Sequence, residues 1–211
     1  MTDNPITKLR DIVPLRPLRF SEALRISEIQ AARFLKMSNI SGPAVPSEII
    51  SELPRIRVDH LSPFPTSGAS HWYHGQWLVV INGSEPATRQ RFSLAHEFKH
   101  IVDHRFVDLI YSGIPAKDRA ARIEQVCDYF AGCLLMPRPW VKRLYYSGVR
   151  DPAELARHFE VSQPAMNVRL NQIGLAEPTP RCLPLPKDWA TKALDAINDR
   201  PMYQRVASFV T

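Results

Sequence analysis

The sequence predicts an α+β fold in which a small β-sheet packs on two long helices and a helical module follows. Three observations carry that expectation. Apolar residues recur at helical spacing over 21–37, 87–104 and 118–136. Three short runs, 56–58, 67–73 and 76–81, fall between the first two of these helices, and the last is rich in Trp, Val and Ile. After Pro137 the chain is punctuated by Gly148, Asp151-Pro152 and Gly174, which divide it into short capped helices. The chain of 211 residues thus divides into an irregular N-terminal arm over 1–19, a core over 20–137, a helical module over 138–176 and a proline-rich C-terminal tail with a short helix over 177–211.

Each element has its own signal. Pro5, Pro14 and Pro17 make the first nineteen residues an arm. Leu24, Ile26, Ile29, Ala32 and Leu35 form the stripe of the first helix, which starts near Ser21-Glu22. A short helix around 47–53 stops at Pro54. His74-Gly75 between two of the β-runs marks a hairpin. Phe92, Ala95, Phe98 and Val102 stripe the helix over 87–104, and a connection of roughly a dozen residues leads to the helix over 118–136, striped by Ile123, Val126, Cys127, Phe130 and Leu134. A helix over 140–147 follows. Asp151 and Ser162 then cap two more.

Composition excludes several classes. Hydrophobic residues at 45%, charged residues at 23% and a mean hydropathy of −0.22 describe a globular protein, not a disordered one. The longest apolar run, Tyr129 to Met136, is far short of the ~20 residues of a membrane-spanning helix, so no membrane is expected. The charged, proline-containing start is unlike a secretory signal, and the expected location is cytoplasmic. Cys127, Cys133 and Cys182 lack C-x-x-C spacing, which argues against a disulfide framework or a zinc knuckle. The net charge of +6 is concentrated after Pro137, where 11 basic residues face 7 acidic ones. That permits an anionic partner and identifies none.

The strongest signal is His96-Glu97-Phe98-Lys99-His100. Residues four apart share a helix face, so both imidazoles reach one ion, with zinc the expected metal. A catalytic zinc keeps three protein ligands and an open position. His104 lies eight residues, or about 12 Å of helix rise, from His96 and is too distant to complete the set. Glu124 is the better third ligand. It borders an otherwise apolar face of the second helix, where an unpaired carboxylate would be costly; pairing with Arg119 or Arg122 is the alternative. Asp128, one turn on, is placed to accept a hydrogen bond from the far nitrogen of a ligating histidine.

The string RQRFSLAHEFKHIVDH followed by IEQVCDYFAGCLLMP resembles the ImmA/IrrE family of bacterial metallopeptidases. Cys127 stands where that pattern has alanine, and Asp128 fills its Asn/Asp position. The resemblance covers about 40–137, is weaker over 138–176, and is absent from both ends. It implies a zincin-like metallopeptidase core over 20–137, one Zn²⁺ per chain on His96, His100 and Glu124, and Glu97 as catalytic acid/base. It also implies transcription regulation through cleavage of a protein substrate, a small helix-turn-helix repressor of a stress or mobile-element operon.

Oxyanion donors are sought in Tyr111, His71 and Tyr145, without a ranking. The edge of the 67–81 hairpin is the expected cradle for an added substrate strand, with Trp72 and Trp77 as candidate lining. Residues Leu155 to Leu170 resemble the helix-turn-helix of bacterial regulators. Glu160 takes the turn position where glycine is usual, and Arg169 is the one strongly basic group of the second helix, so DNA contact is open but less favoured than packing or partner docking. Two further readings stand beside the peptidase: a DNA-binding regulator, or a toxin–antitoxin component acting by binding, either with a non-catalytic zinc site. An intact Glu97 weighs against both.

Overall fold

The structure, a computed structural model, describes residues 4–175. The C-terminal tail, its expected helix and Cys182 lie outside the described residues. The order of elements is α1 (Pro5–Arg10), α2 (Phe20–Met37), α3 (Glu48–Ser51), β1 (Ile56–Leu61), β2 (Gly68–Tyr73), β3 (Gln76–Asn82), α4 (Ala87–Asp103), α5 (Val107–Ile110), α6 (Ala116–Leu135), α7 (Arg138–Tyr146), α8 (Pro152–Phe159) and α9 (Gln163–Gln172). The architecture is α+β, as the patterning predicts.

β2 and β3 form the hairpin, in register from Gly68↔Ile81 to Tyr73↔Gln76. Its turn places His74 and Gly75 at φ of 46° and 81°, the left-handed pair that matches strand twist. β1 pairs in parallel on the other side of β3, so the order is β1-β3-β2 and β2 is an edge strand. Along β3 burial alternates, with Trp77, Val79 and Ile81 inward, a period of two that sets one face against α4. Phe98 of α4 carries the packing on to α2 and α6. Its ring lies 4.8 Å from that of Phe34 and 6.2 Å from that of Phe130, and all three are fully buried.

Two stretches differ from expectation. The arm over 1–19 contains α1, which Asn4 caps by accepting from the Ile6 amide at 3.0 Å, and which buries Ile6 and Leu9. Six residues are too few to show a period, and Pro5 reads as a breaker although proline suits the first turn of a helix. The connection after α4 contains α5, whose Ile110 joins Tyr111, Ile114, Val13, Leu18 and Val126 in a second, smaller apolar cluster.

The helical module forms as its caps predict. Asp151 accepts from the amides of Ala153 and Glu154, Ser162 accepts from that of Ala165, and Glu160 turns the chain between α8 and α9 at φ 51°. Its core is shared: Leu155, Phe159, Met166 and Leu170 belong to the same apolar cluster as Val79 and Phe98.

A buried polar network holds the back of α4. Lys99 Nζ donates to Asp103 Oδ1 and to Gln30 Oε1 of α2, each at 2.7 Å, and Tyr111 donates to Asp103 Oδ2 at 2.9 Å. Lys99 and Asp103 are each 2% exposed. Asp103→Ala leaves the ammonium without its counter-charge and the phenol without its acceptor in a dry site. It should lower unfolding free energy by ~3–5 kcal/mol in denaturant titration, the cost of breaking a buried pair. A loss below about 1 kcal/mol, the worth of a surface pair, would show that this network does not hold the helix.

Candidate metal centre

Helical periodicity places His96, Glu97 and His100 along the one side of α4 that is not wholly buried, opposite Phe98, Ile101 and Val102. On α6, Glu124 and Asp128 are likewise one turn apart and face α4. The two helices bring three donor groups, two imidazoles and both oxygens of one carboxylate, into a triangle. His96 Nε2 and His100 Nε2 are 3.1 Å apart, His96 Nε2 and Glu124 Oε2 are 3.2 Å apart, and His100 Nε2 and Glu124 Oε1 are 3.5 Å apart. A tetrahedral ion with bonds of ~2.0–2.2 Å separates its ligand atoms by roughly 3.3 Å, so the triangle has the size of one face of such a coordination sphere.

The protonation pattern suits a cation as well. Asp128 Oδ1 lies 2.8 Å from His96 Nδ1. A carboxylate can only accept, so Nδ1 carries the hydrogen and leaves the lone pair of Nε2 aimed at the triangle. Burial works against a charge on His96, but the hydrogen bond and charge of Asp128, with Glu124 and Glu97 adding to them, outweigh it and raise its pKa. His100 goes the other way, lowered by burial and by His96 beside it.

The desolvation argument for Glu124 is corrected by its surroundings. Its side chain is 59% exposed, so relief of a buried charge does not bring it to the histidines. Backbone geometry does. The alternative partners are occupied elsewhere: Arg122 donates to Gln125 Oε1 at 3.0 Å and stacks over Phe20, and Arg119 reaches the Ile114 carbonyl.

Two residues join the site that sequence reasoning did not place there. Ser70 of β2 donates to Glu97 Oε2 at 2.7 Å. The approach of β2 to α4 requires Gly68, where a Cβ would stand 3.3 Å from Glu97 Cγ and 3.2 Å from Ile81 Cδ1. A strand face that reads Gly-x-Ser opposite a helix was the available signal. The other is Cys127, expected only as core, whose Sγ lies within 4.8 Å of donor nitrogens of His96 and His100. Burial pushes this thiol far above its ordinary range, which keeps it protonated. The His–His–Glu triangle, with sides of 3.1 to 3.5 Å, is tighter than the cluster that includes Cys127.

Other candidates fall away. Tyr111 is buried and its hydroxyl is taken by Asp103. His71 sits on the strand face opposite Ser70, and Tyr145 packs beside Tyr146 and Arg150, so neither borders the cleft over His96 and Glu97. His104 is the C-cap of α4 and stacks edge-on against Trp77 at 4.9 Å. Trp77 is core, whereas Trp72 is 43% exposed. The cleft itself, about 380 Å³, is bordered by Ser67 and Gly68 on one side and by Glu124 and Asp128 on the other.

A metal at this triangle must displace the proton that His96 holds to higher pH than an ordinary histidine. Apparent zinc affinity should therefore fall as pH drops through and just above the usual histidine range, with proton release in calorimetry. Asp128→Asn removes the charge that raises His96. It should shift the midpoint of that loss to lower pH while weakening pH-independent affinity about 10- to 100-fold; an unchanged midpoint would remove Asp128 from this role.

Comparisons with known proteins bear on the family and the fold. The model of the peptidase family described as "IrrE N-terminal-like domain" matches residues 54–171, more than half of the chain. The radiation response metalloprotease IrrE of Deinococcus radiodurans is 32% identical over 91 residues, covering 40% of this chain and 28% of that protein. A solved structure of a Mycobacterium tuberculosis transcriptional regulator superposes with a TM-score of 0.59 at 18% identity, covering 85% of this chain and 54% of that one. The chain thus spans about a quarter of the curated relative and about half of the solved one. That likeness supports a zincin-like core followed by a helical module, and the family match over both makes this chain a member of the ImmA/IrrE family of metallopeptidases.

Proposed function

We propose that the protein is a zinc-dependent endopeptidase in which His96, His100 and Glu124 hold one Zn²⁺ and Glu97 is the general acid/base. The juxtaposition of the donor triangle with the Glu97 carboxylate carries this reading: Glu97 is on the same helix face, outside the triangle, and fixed by Ser70. When bound, zinc acidifies water and polarises the scissile carbonyl. Glu97 takes one proton from the attacking water as its oxygen bonds to the carbonyl carbon, then delivers that proton to the amide nitrogen as the C–N bond breaks. Ser70 holds the carboxylate for both transfers, and Asp128 holds the His96 ring.

Among the described residues the outer edge of β2 is unpaired, and it would supply the backbone groups for a substrate strand. Family membership supports a protein substrate, proposed as a small helix-turn-helix repressor of a stress or mobile-element operon, acting in the cytoplasm; among the described residues no helix is long and apolar enough to cross a membrane. DNA reading by α9 is not favoured, because Arg169, its one strongly basic residue, is 1% exposed with Nε donating to the Met136 carbonyl at 2.9 Å.

Glu97→Gln should keep zinc content and fold while hydrolysis of a repressor encoded beside this protein falls by ~10²–10⁴-fold or more. Equal cleavage by the variant would remove Glu97 from the mechanism, and equal biological effect without cleavage would leave a binding regulator. Ser70→Ala should lower kcat roughly tenfold, the worth of a hydrogen bond to a charged group, with zinc affinity and KM little changed. Restoration by Ser70→Thr would tie the effect to the hydroxyl.

A further inference from the structure

α6 offers the two imidazoles a choice of third donor. Glu124 and Cys127 stand one helical turn apart and both side chains reach towards α4. They do so from different depths: the Glu124 side chain is 59% exposed on the cleft side, whereas Cys127 is 1% exposed, on the side of the core. The Cys127 Sγ and a donor nitrogen of each of His96 and His100 all lie within 4.8 Å of one another. This free thiol has no part in the peptidase mechanism, and the family pattern has alanine in its place, which can donate nothing. The other buried cysteine, Cys133, stands instead beside Tyr129 and Arg169.

The two sets of donors suit different ions. The His–His–Glu triangle has sides of 3.1 to 3.5 Å and an oxygen corner, the size of one face of a zinc tetrahedron whose fourth position opens to the cleft. The His–His–Cys set is wider, ends in sulfur and lies against the core. Sulfur stands ~0.2–0.3 Å farther from an ion than nitrogen does, and a soft donor selects a soft ion. An ion drawn to that side also sheds most of its water, a cost that is lowest for ions already weakly held by oxygen.

We propose that His96, His100 and Cys127 form a second binding mode of this centre, selective for thiophilic ions of the Cd²⁺ and Cu⁺ class, which holds the ion on the core side and leaves Glu124 uncoordinated. As the sulfur–metal bond forms, the thiol proton passes to solvent, and the ion is neither oxidised nor reduced. The thiolate then cancels one unit of the ion's charge in the dry site. The imidazoles cannot serve two ions at once. Capture of a thiophilic ion therefore takes both histidines away from zinc and from the open position beside Glu97, which makes it an inhibited state. The inhibition rests on the peptidase reading; the binding mode does not.

The zinc-free full chain is titrated with Cd²⁺ alone and with Zn²⁺ alone, as wild type and as Cys127→Ala, Cys127→Ser and Glu124→Gln, with thermal unfolding as the control on folding. Cys127→Ser nearly keeps the size of the side chain should the alanine variant fail to fold. The wild type should show ultraviolet sulfur-to-cadmium charge-transfer absorption that saturates at one ion per chain. The cysteine variants should lose that absorption and lower the ratio of Cd²⁺ to Zn²⁺ affinity by about 100-fold or more, beyond the 10- to 100-fold typical of losing a group that only supports a ligand. Glu124→Gln should keep the absorption and raise the ratio. Absorption that persists in the cysteine variants would assign it to Cys133 or Cys182 and overturn the proposal. So would an unchanged ratio, or cadmium X-ray absorption showing nitrogen and oxygen neighbours without sulfur. Sulfur-bound Cd²⁺ in a chain whose zinc form hydrolyses no peptide would support the binding mode and sink the peptidase reading alone. Hydrolysis by the zinc form with no sulfur on cadmium would do the reverse.

Discussion

The candidate site depends on one helix being gripped from behind. α4 carries three of the reactive side chains on its more open side, and its other side is sealed by the aromatic contacts of Phe98 and by the buried Lys99–Asp103 pair. An ammonium and a carboxylate in such a place are tolerable only when fully hydrogen-bonded, and Gln30 and Tyr111 supply the missing partners. These bonds run to α2 and to the segment after α5, so the network fixes the rotation of α4 about its own axis. An error of one residue in that rotation would turn the imidazoles away from α6.

The ends of the helix are managed by elements distant in sequence. The last carbonyls of a helix lack intrahelical donors. Those of Ile101 and Val102 are met by Arg10 of α1, at 2.7 and 3.0 Å, which places a cation at the negative end of the helix as well. Burial lowers the pKa of that guanidinium, with Arg105 adding to the effect, but it remains far above any range in which it could lose its charge. The short N-terminal helix thus has a defined task, although nothing in its own pattern announces one. At the other face, Gly68 lets β2 come close enough for Ser70 to reach Glu97, an approach any larger residue would oppose.

The helix-turn-helix-like pair shows how a local motif can be redirected by packing. Its caps and its left-handed turn at Glu160 are as the motif requires. Yet Arg91 of α4 is hydrogen-bonded to the Glu160 carbonyl at 3.0 Å and to the Val45 carbonyl, and Arg169 is buried against α6. The pair is joined to the rest of the core by the very cations that could otherwise face a phosphate. Fold resemblance to a DNA-binding motif therefore says little about its use, which rests on where its side chains point.

What the sequence determined by itself is whatever depends on short-range periodicity. The i, i+4 spacing put His96 beside His100 and Glu124 beside Asp128, Asp151 and Ser162 marked helix starts, and His74-Gly75 marked a hairpin turn, because 3.6- and 2-residue periods and cap chemistry are properties of neighbouring residues. Only the tertiary structure decided which helix faces meet. It decided that Glu124 reaches the histidines from an exposed position, that Ser70 holds Glu97, that Cys127 backs the donor cluster, and that Arg10 caps α4. These pairings join residues 24 to 92 positions apart, and no local pattern encodes the relative rotation of two packed elements. That rotation is set by the whole core at once, through the complementarity of buried surfaces and the need of each buried polar group for a partner.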